Sequence, residues 1–239
     1  MRAAAQRVPV IIATGRMYRS ALPWCRELGA TAPAVCYQGA LVREMPPGGA
    51  TLLEMNLEAA AAELALALAR EHGWHIQAYQ HDELLCEQDR AEAHLYARIA
   101  QVPITFVDDL APLLRHGTTK LVCVVEDAAE VQRCREVMTR ELGGAARVTW
   151  SLPQFVEIVN PAVSKAAACA LVCERFGVDL GDALAIGDAA NDIDVLDAAG
   201  YAVAVRTADS HVLDHADATC APPADAGVAD ALSALGLIG

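Results

Sequence analysis

The chain has 239 residues, 54% of them hydrophobic, and a formal net charge of -13. That length and apolar content suffice for a sizeable core in one large domain or two smaller ones, and no apolar run approaches the roughly 20 residues that span a bilayer. The acidity, with no cluster of Lys and Arg, argues against a nucleic-acid surface. The N-terminus, despite Arg2 and Arg7, lacks a signal-peptide apolar stretch, so no membrane partner and a cytoplasmic location are expected.

Residues 1–7 are Ala-rich and read as the tail of a helix whose beginning is missing. Residues 8–13 predict a buried strand, with Pro9 admissible at its start. Thr14 and Gly15 follow at its carboxyl end. There a Thr hydroxyl and a Gly N–H can donate to a phosphoryl oxygen, helped by a helix dipole, although Thr14 also reads as an ordinary helix cap. A helix over 20–28 and a second strand over 33–38, ending at Gly39, come next. Pro46-Pro47-Gly48-Gly49 reads as a turn or linker, and beyond it residues 57–71 form an Ala/Leu helix. Residues 74–88 alternate apolar and polar around Gln80-His81-Asp82, the pattern of a hairpin. A helix over 91–100, a strand over 120–125, a helix over 128–142 ended by Gly143-Gly144, and strands over 147–152 and 155–159 complete this stretch. The grouping predicts a main domain of 1–44 and 161–239 interrupted by a small α/β domain of 45–160.

After Pro161, Lys165 opens a helix over 166–176 that Gly177 ends. Residues 184–186 read as a fully buried strand, stopped at Gly187 and Asp188. Further strands over 202–205 and 216–220 and a helix over 228–235 follow, so strands alternate with helices as in a doubly wound parallel sheet. Ligands bind such sheets beyond the carboxyl ends of the strands. Asp188, Asn191 and Asp192 lie there within one turn, and their oxygens suit a hard cation such as Mg²⁺; equally, they read as the capped start of a helix. The eight cysteines include no Cys-x-x-Cys pair and sit mostly in apolar runs, which points to reduced, buried small hydrophobes.

Four stretches, in order, carry a family resemblance. Gly187-Asp188-Ala189-Ala190-Asn191-Asp192-Ile193-Asp194-Val195-Leu196 resembles the fourth motif of the haloacid dehalogenase-like (HAD) phosphatases in their Cof-type branch, subfamily IIB, where Gly-Asp-x-x-Asn-Asp-x-x-Met-Leu is usual. Ile12-Ala13-Thr14-Gly15-Arg16 resembles the second motif. Tyr37-Gln38-Gly39-Ala40 resembles an Asn-Gly-Ala element with Gln38 in place of the Asn, and Glu157-Ile158-Val159-Asn160-Pro161-Ala162-Val163-Ser164-Lys165 resembles the segment carrying the third motif and its Lys. The family's first motif, Asp-x-Asp-Gly-Thr, supplies the nucleophile and the acid/base upstream of the second; none of residues 1–13 is an Asp.

The resemblance implies a Rossmann-like α/β core, here without its central first strand between the strands over 8–13 and 184–186, and an inserted α/β cap domain. It implies Mg²⁺-dependent hydrolysis of a small phosphorylated metabolite, such as a sugar phosphate, through an aspartyl-phosphate. Lys165 and Thr14 would be catalytic. Thr14, Gly15, Lys165 and Asn191 would bind the phosphoryl group, and Asp188 and Asp192 the Mg²⁺. His81 and Asp82 of the cap would touch the substrate or form a plain exposed turn. Without its first motif the chain is expected to be catalytically incomplete, whether through a start placed too far downstream or as a remnant. A non-catalytic phosphometabolite-binding remnant and a phosphomutase of the same superfamily are the other readings; substrate identity and oligomeric state are open.

Overall fold

A computed structural model describes residues 1–239. The chain divides into two units, one of Met1–Gly15, Ala21–Leu53 and Ser164–Gly239, the other of Arg16–Ser20 and Glu54–Val163. The first begins with helices α1 (Arg2–Ala5) and α2 (Tyr18–Leu28) and strands β1 (Ala34–Cys36), β2 (Leu41–Arg43) and β3 (Thr51–Glu54). The strands form one sheet in the order β1-β2-β3, with β1 and β2 antiparallel. Pro46-Pro47-Gly48-Gly49, expected as a turn or linker, lies in the β2–β3 hairpin loop, where Glu44 N–H donates to Ala50 O at 2.9 Å and Arg43 Nε donates to Gly49 O at 2.9 Å. The long segment of the second unit therefore begins only at Glu54.

The strand predicted over 8–13 is reduced to one parallel bridge, Ala13 to Val35. Val35 N–H donates to Ile12 O and Thr14 N–H to Val35 O, both at 2.9 Å. A ladder extends only as far as its partner does, and β1 offers three residues, Ala34 to Cys36.

The second unit contains α3 (Ala59–His72), β4 (His75–Gln80), β5 (Glu83–Cys86), α4 (Ala91–Ala100), β6 (Ile104–Phe106), α5 (Ala111–Leu114), β7 (Lys120–Val124), α6 (Ala128–Leu142), β8 (Arg147–Thr149) and β9 (Phe155–Val159). Its sheet runs β6-β5-β4-β7-β9-β8 and is antiparallel except for the β5–β6 pair. The β4–β5 hairpin turns on His81 and Asp82, both at positive φ (50° and 62°), as a two-residue turn matched to strand twist requires. Asp127 starts α6 by accepting from the N–H groups of Ala129 and Glu130 at 3.0 Å each. A large apolar cluster, including Leu66, Leu121, Met138 and Ile158, lies in this unit. Within the same sheet a fully buried ion pair joins Lys120 Nζ to Glu157 Oε2 at 3.2 Å. Ser151 donates to the other carboxylate oxygen of Glu157, and the Lys120 ammonium lies 5.0 Å from the Tyr79 ring centroid.

The chain returns to the first unit with α7 (Lys165–Glu174), β10 (Leu184–Gly187), α8 (Ile193–Ala198), β11 (Tyr201–Val205), α9 (Ser210–Leu213), β12 (Ala218–Cys220) and α10 (Gly227–Ala234). Strands β10, β11 and β12 are parallel, in that order, with Leu184 opposite Tyr201 and Gly187 opposite Ala204. The expected single doubly wound sheet is thus present as two separate three-stranded sheets, only one of them parallel. Small separate apolar clusters lie in this unit, among them those around Val35 and Val172, Ala185 and Leu196, and Val203 and Val205. All eight cysteines are buried and free of disulfides. No helix is long and apolar enough to cross a membrane.

Candidate active site at the strand ends

Beyond β1 the backbone takes a conformation that side-chain-bearing residues avoid. Tyr37, Gln38 and Gly39 have φ of 51°, 63° and 102°. A non-glycine residue held there costs on the order of 1 kcal/mol or more, so the surroundings must hold the turn in place. Gln38 shows how. Its N–H donates to Thr14 O at 3.1 Å, its side chain is buried, and its Oε1 accepts from Asn191 Nδ2 at 2.8 Å. A Cβ added to Gly15 would lie 2.5 Å from Gln38 Nε2, and one added to Gly39 would collide with the carbonyl of Ser164. Only glycine fits at position 39, whereas a side chain at position 15 would have to displace the Gln38 amide. The Thr14-Gly15 turn, the Tyr37–Gly39 turn, the start of α7 and Asn191 thereby meet at one locus of the first unit.

Lys165 is the first residue of α7, whose start is capped by Ser164 Oγ accepting from Ala167 N–H at 3.1 Å. Ser164 Oγ itself donates to Asp194 Oδ2 at 2.9 Å, and Ala166 N–H donates to the same oxygen at 3.4 Å, so Asp194 supports this helix start from α8. The Lys165 side chain is 4% exposed and donates to Asp192 Oδ1 at 2.6 Å. Asp192 Oδ2 accepts from the N–H groups of Asp188 and Ala189, at 3.1 Å each. Asp192 therefore has both carboxylate oxygens engaged, one by the buried ammonium and one by the loop that leaves β10.

Asp188 follows β10 directly. It has a surface position, yet partial desolvation raises its pKa above the ordinary carboxylate value; the charge of Asp192 raises it further, while Lys165 opposes the shift. Two neighbouring carboxylates, one of them held above its usual pKa, make a place that a hard cation would relieve. Mg²⁺ commonly takes one or two carboxylates plus phosphate oxygens, which Asp188 fits. Nowhere do three or more His, Cys, Asp or Glu side chains assemble into a ready-made metal cage.

Of the residues singled out in the sequence, Thr14, Gly15, Lys165, Asp188, Asn191 and Asp192 all lie in the first unit and are joined by the contacts above. His81 and Asp82 lie in the second, at the β4–β5 turn. Asp82 is drawn into that unit: its carboxylate accepts from Arg19 N–H at 2.7 Å, lies 3.7 Å from Arg19 Nε, and is 11% exposed. Sequence reading passed over Gln38, Ser164 and Asp194 as participants. Gln38 lies in the Tyr37–Ala40 stretch, but its reach to Asn191 lies across the fold; Asp194 has only its place in the acidic run to mark it.

Short oxygen-bearing side chains just beyond parallel strand β10, beside a lysine paired with an aspartate, make a candidate site where α/β proteins commonly bind ligands, beyond a strand's carboxyl end. The chain belongs to the haloacid dehalogenase-like hydrolases, whose family model matches residues 1–232. Among solved structures, it resembles a haloacid dehalogenase-like hydrolase from Bacteroides thetaiotaomicron with a TM-score of 0.87 at 23% identity, covering 98% of this chain and 89% of that one. It is 40% identical over 81 residues to a phosphoglycolate phosphatase of Archaeoglobus fulgidus, a match covering 34% of this chain and 36% of the relative. A pyridoxal phosphate phosphatase of Escherichia coli is 26% identical over 213 residues, covering 85% of this chain and 77% of the relative. The match spans only about a third of the length of the first curated relatives, at 36%, 35% and 34%.

Proposed function

We propose that the protein is a phosphatase of small phosphorylated metabolites, of the Cof-type (IIB) branch, that uses Mg²⁺ and an aspartyl-phosphate. We propose further that the attacking carboxylate is not among these 239 residues. The observation that carries the first part is the buried Lys165–Asp192 pair in the same locus as Thr14, Gly15 and Asn191. Relatives named for phosphoglycolate and pyridoxal phosphate support a small phosphorylated substrate.

In this reading the Thr14 hydroxyl and the Gly15 N–H donate to phosphoryl oxygens, and Lys165, whose charge is kept in place by Asp192, offsets their negative charge. Asn191 presents its amide from the opposite loop. Asp188 would hold Mg²⁺, with Asp192 fixing the Asp188 loop from behind rather than acting as a full ligand; bound there, the ion would neutralise phosphoryl oxygens. A first-motif carboxylate would attack phosphorus, the substrate oxygen would leave with the proton of that motif's acid/base, and water deprotonated by the same group would then cleave the acyl phosphate, releasing phosphate and restoring the carboxylate. From the inserted unit, His81 is the candidate substrate contact, since Asp82 is engaged by Arg19.

The strand arrangement supports the second part. Ala13 bridges Val35 and β10 ladders with β11, and the two segments form no ladder with one another. Residues 11–14 are half-buried and β10 alternates buried with half-buried, whereas β7 and β9 are buried throughout. A further strand lying beside β10 would pair with it.

A paired assay with an aryl phosphate and Mg²⁺ tests both parts. This chain is set beside one lengthened at its N-terminus to carry the first motif, and beside the lengthened chain with its first-motif Asp changed to Asn. The expected rates are negligible, substantial and negligible, because loss of a covalent nucleophile costs on the order of 10⁶-fold. Equal rates for the short and lengthened chains would overturn the proposal. Tight binding of phosphate with no turnover by the lengthened chain would favour a non-catalytic binding protein. Turnover of a sugar bisphosphate without phosphate release would favour a phosphomutase.

A further inference from the structure

We infer that Gln38 is a positioning residue that orients the Asn191 amide and spaces it from the Thr14-Gly15 turn; the inference rests on the phosphate-handling reading of that locus. Gln38 sits in a left-handed conformation, φ 63° and ψ 17°, between two other residues of positive φ. That conformation is unfavourable for glutamine, and the residue is nonetheless 5% exposed, with its side chain directed into the site rather than to solvent. Both ends of its amide are used. Oε1 accepts from Asn191 Nδ2 at 2.8 Å, and Nε2 occupies the space over Gly15 that a Cβ there would need. Its backbone N–H donates to Thr14 O.

One consequence follows for Asn191 and one for Gly15. Because Nδ2 faces Gln38, the Asn191 amide has a fixed sense, with one N–H given to Gln38 and both Oδ1 and the second N–H left to face elsewhere. A free Asn amide would turn over between two senses. Gly15 lacks a side chain not only because a phosphoryl group must approach its N–H but because the Gln38 amide already fills the position. The length of the side chain matters as well. An Asn at 38, the residue usual in the resembled element, is one methylene shorter and would not span from the turn to Asn191 in this backbone.

Two measurements test this on the full chain. The first is the side-chain ¹⁵N–¹H resonances of Asn191, assigned by comparison with Asn191→Ala. In the parent they should exchange slowly and report one orientation; in Gln38→Gly, which removes the amide while relaxing the backbone, and in Gln38→Asn, they should exchange fast. Unchanged Asn191 amide exchange in Gln38→Gly overturns the inference, whatever the protein binds. The second is the affinity for inorganic phosphate with Mg²⁺, measured by calorimetry for Gln38→Gly, Asn191→Ala and the double variant. Gln38→Gly should weaken binding about tenfold, the scale of one buried hydrogen bond. In the Asn191→Ala background the same change should have almost no further effect, because a positioning residue acts through its partner. Additive losses would make Gln38 a direct ligand and overturn the positioning role. If the parent binds no phosphate, the phosphatase reading fails while the amide measurement still decides the role of Gln38.

Discussion

Asp192 and Asp188 are two carboxylates four residues apart with different work. Asp192 neutralises a buried ammonium and holds two backbone N–H groups, whereas Asp188 has a neighbouring negative charge and a raised pKa. Asp192→Asn should therefore lower unfolding free energy by about 1–3 kcal/mol, since it leaves Lys165 without its counter-ion and one N–H acceptor becomes a donor. Asp188→Asn should leave stability within about 0.5 kcal/mol of the parent and weaken Mg²⁺ binding more than Asp192→Asn does. Urea unfolding and calorimetric Mg²⁺ titration of the two variants check this; equal stability losses would show that Asp192 has no structural role. At this scale the sequence was informative where residues stand close along the chain. Asp188, Asn191 and Asp192 lie within five positions, and Lys165 directly follows the N-cap Ser164. Gln38 and Asp194 were not legible, because the contacts that define them join residues 153 and 30 positions apart. Gln38 in addition depends on a backbone conformation that composition does not reveal.

Among the elements, the clearest dependence on context is the Lys120–Glu157 pair, which joins β7 to β9 with both side chains 1% exposed. Removing one partner strands a charge in the interior. Lys120→Met should cost about 3–5 kcal/mol, whereas Lys120→Met with Glu157→Leu should cost less than that single change, because no lone charge remains. Chemical denaturation of the single and double variants decides; a double loss equal to the sum of the singles would mean that the two side chains do not act as a pair. Helix α6 and strand β9 follow the expected boundaries because a cap at Asp127, an ending at Gly143 and an unbroken apolar run mark them locally. Strands β2 and β3 were hidden by Pro46-Pro47-Gly48-Gly49, which reads as a linker unless the flanking strands are known to pair. The expected strand over 8–13 has the right composition, but composition cannot supply the partner that a ladder needs.

At the level of the molecule, the two units differ in how their interiors are built. The second has a large apolar cluster against a six-stranded sheet, and the first has small separate clusters and two short sheets. Stability should follow. Amides of β4, β7 and β9 should exchange with solvent most slowly, those of β10 and residues 12–14 much faster, and urea should unfold the chain in two steps with the first unit leading. Uniform protection with a single transition would show that the units share one cooperative structure. The open side of β10 has one more consequence, for the protein in a crowded solution. Leu184-Ala185-Ile186-Gly187 presents unpaired backbone groups with neither a Pro nor a charge to discourage a visiting strand. Unless a further strand covers it, such an edge is a template for self-association that the mutual repulsion of a net charge of -13 opposes, a protection that fades as salt rises or the pH approaches 4.9.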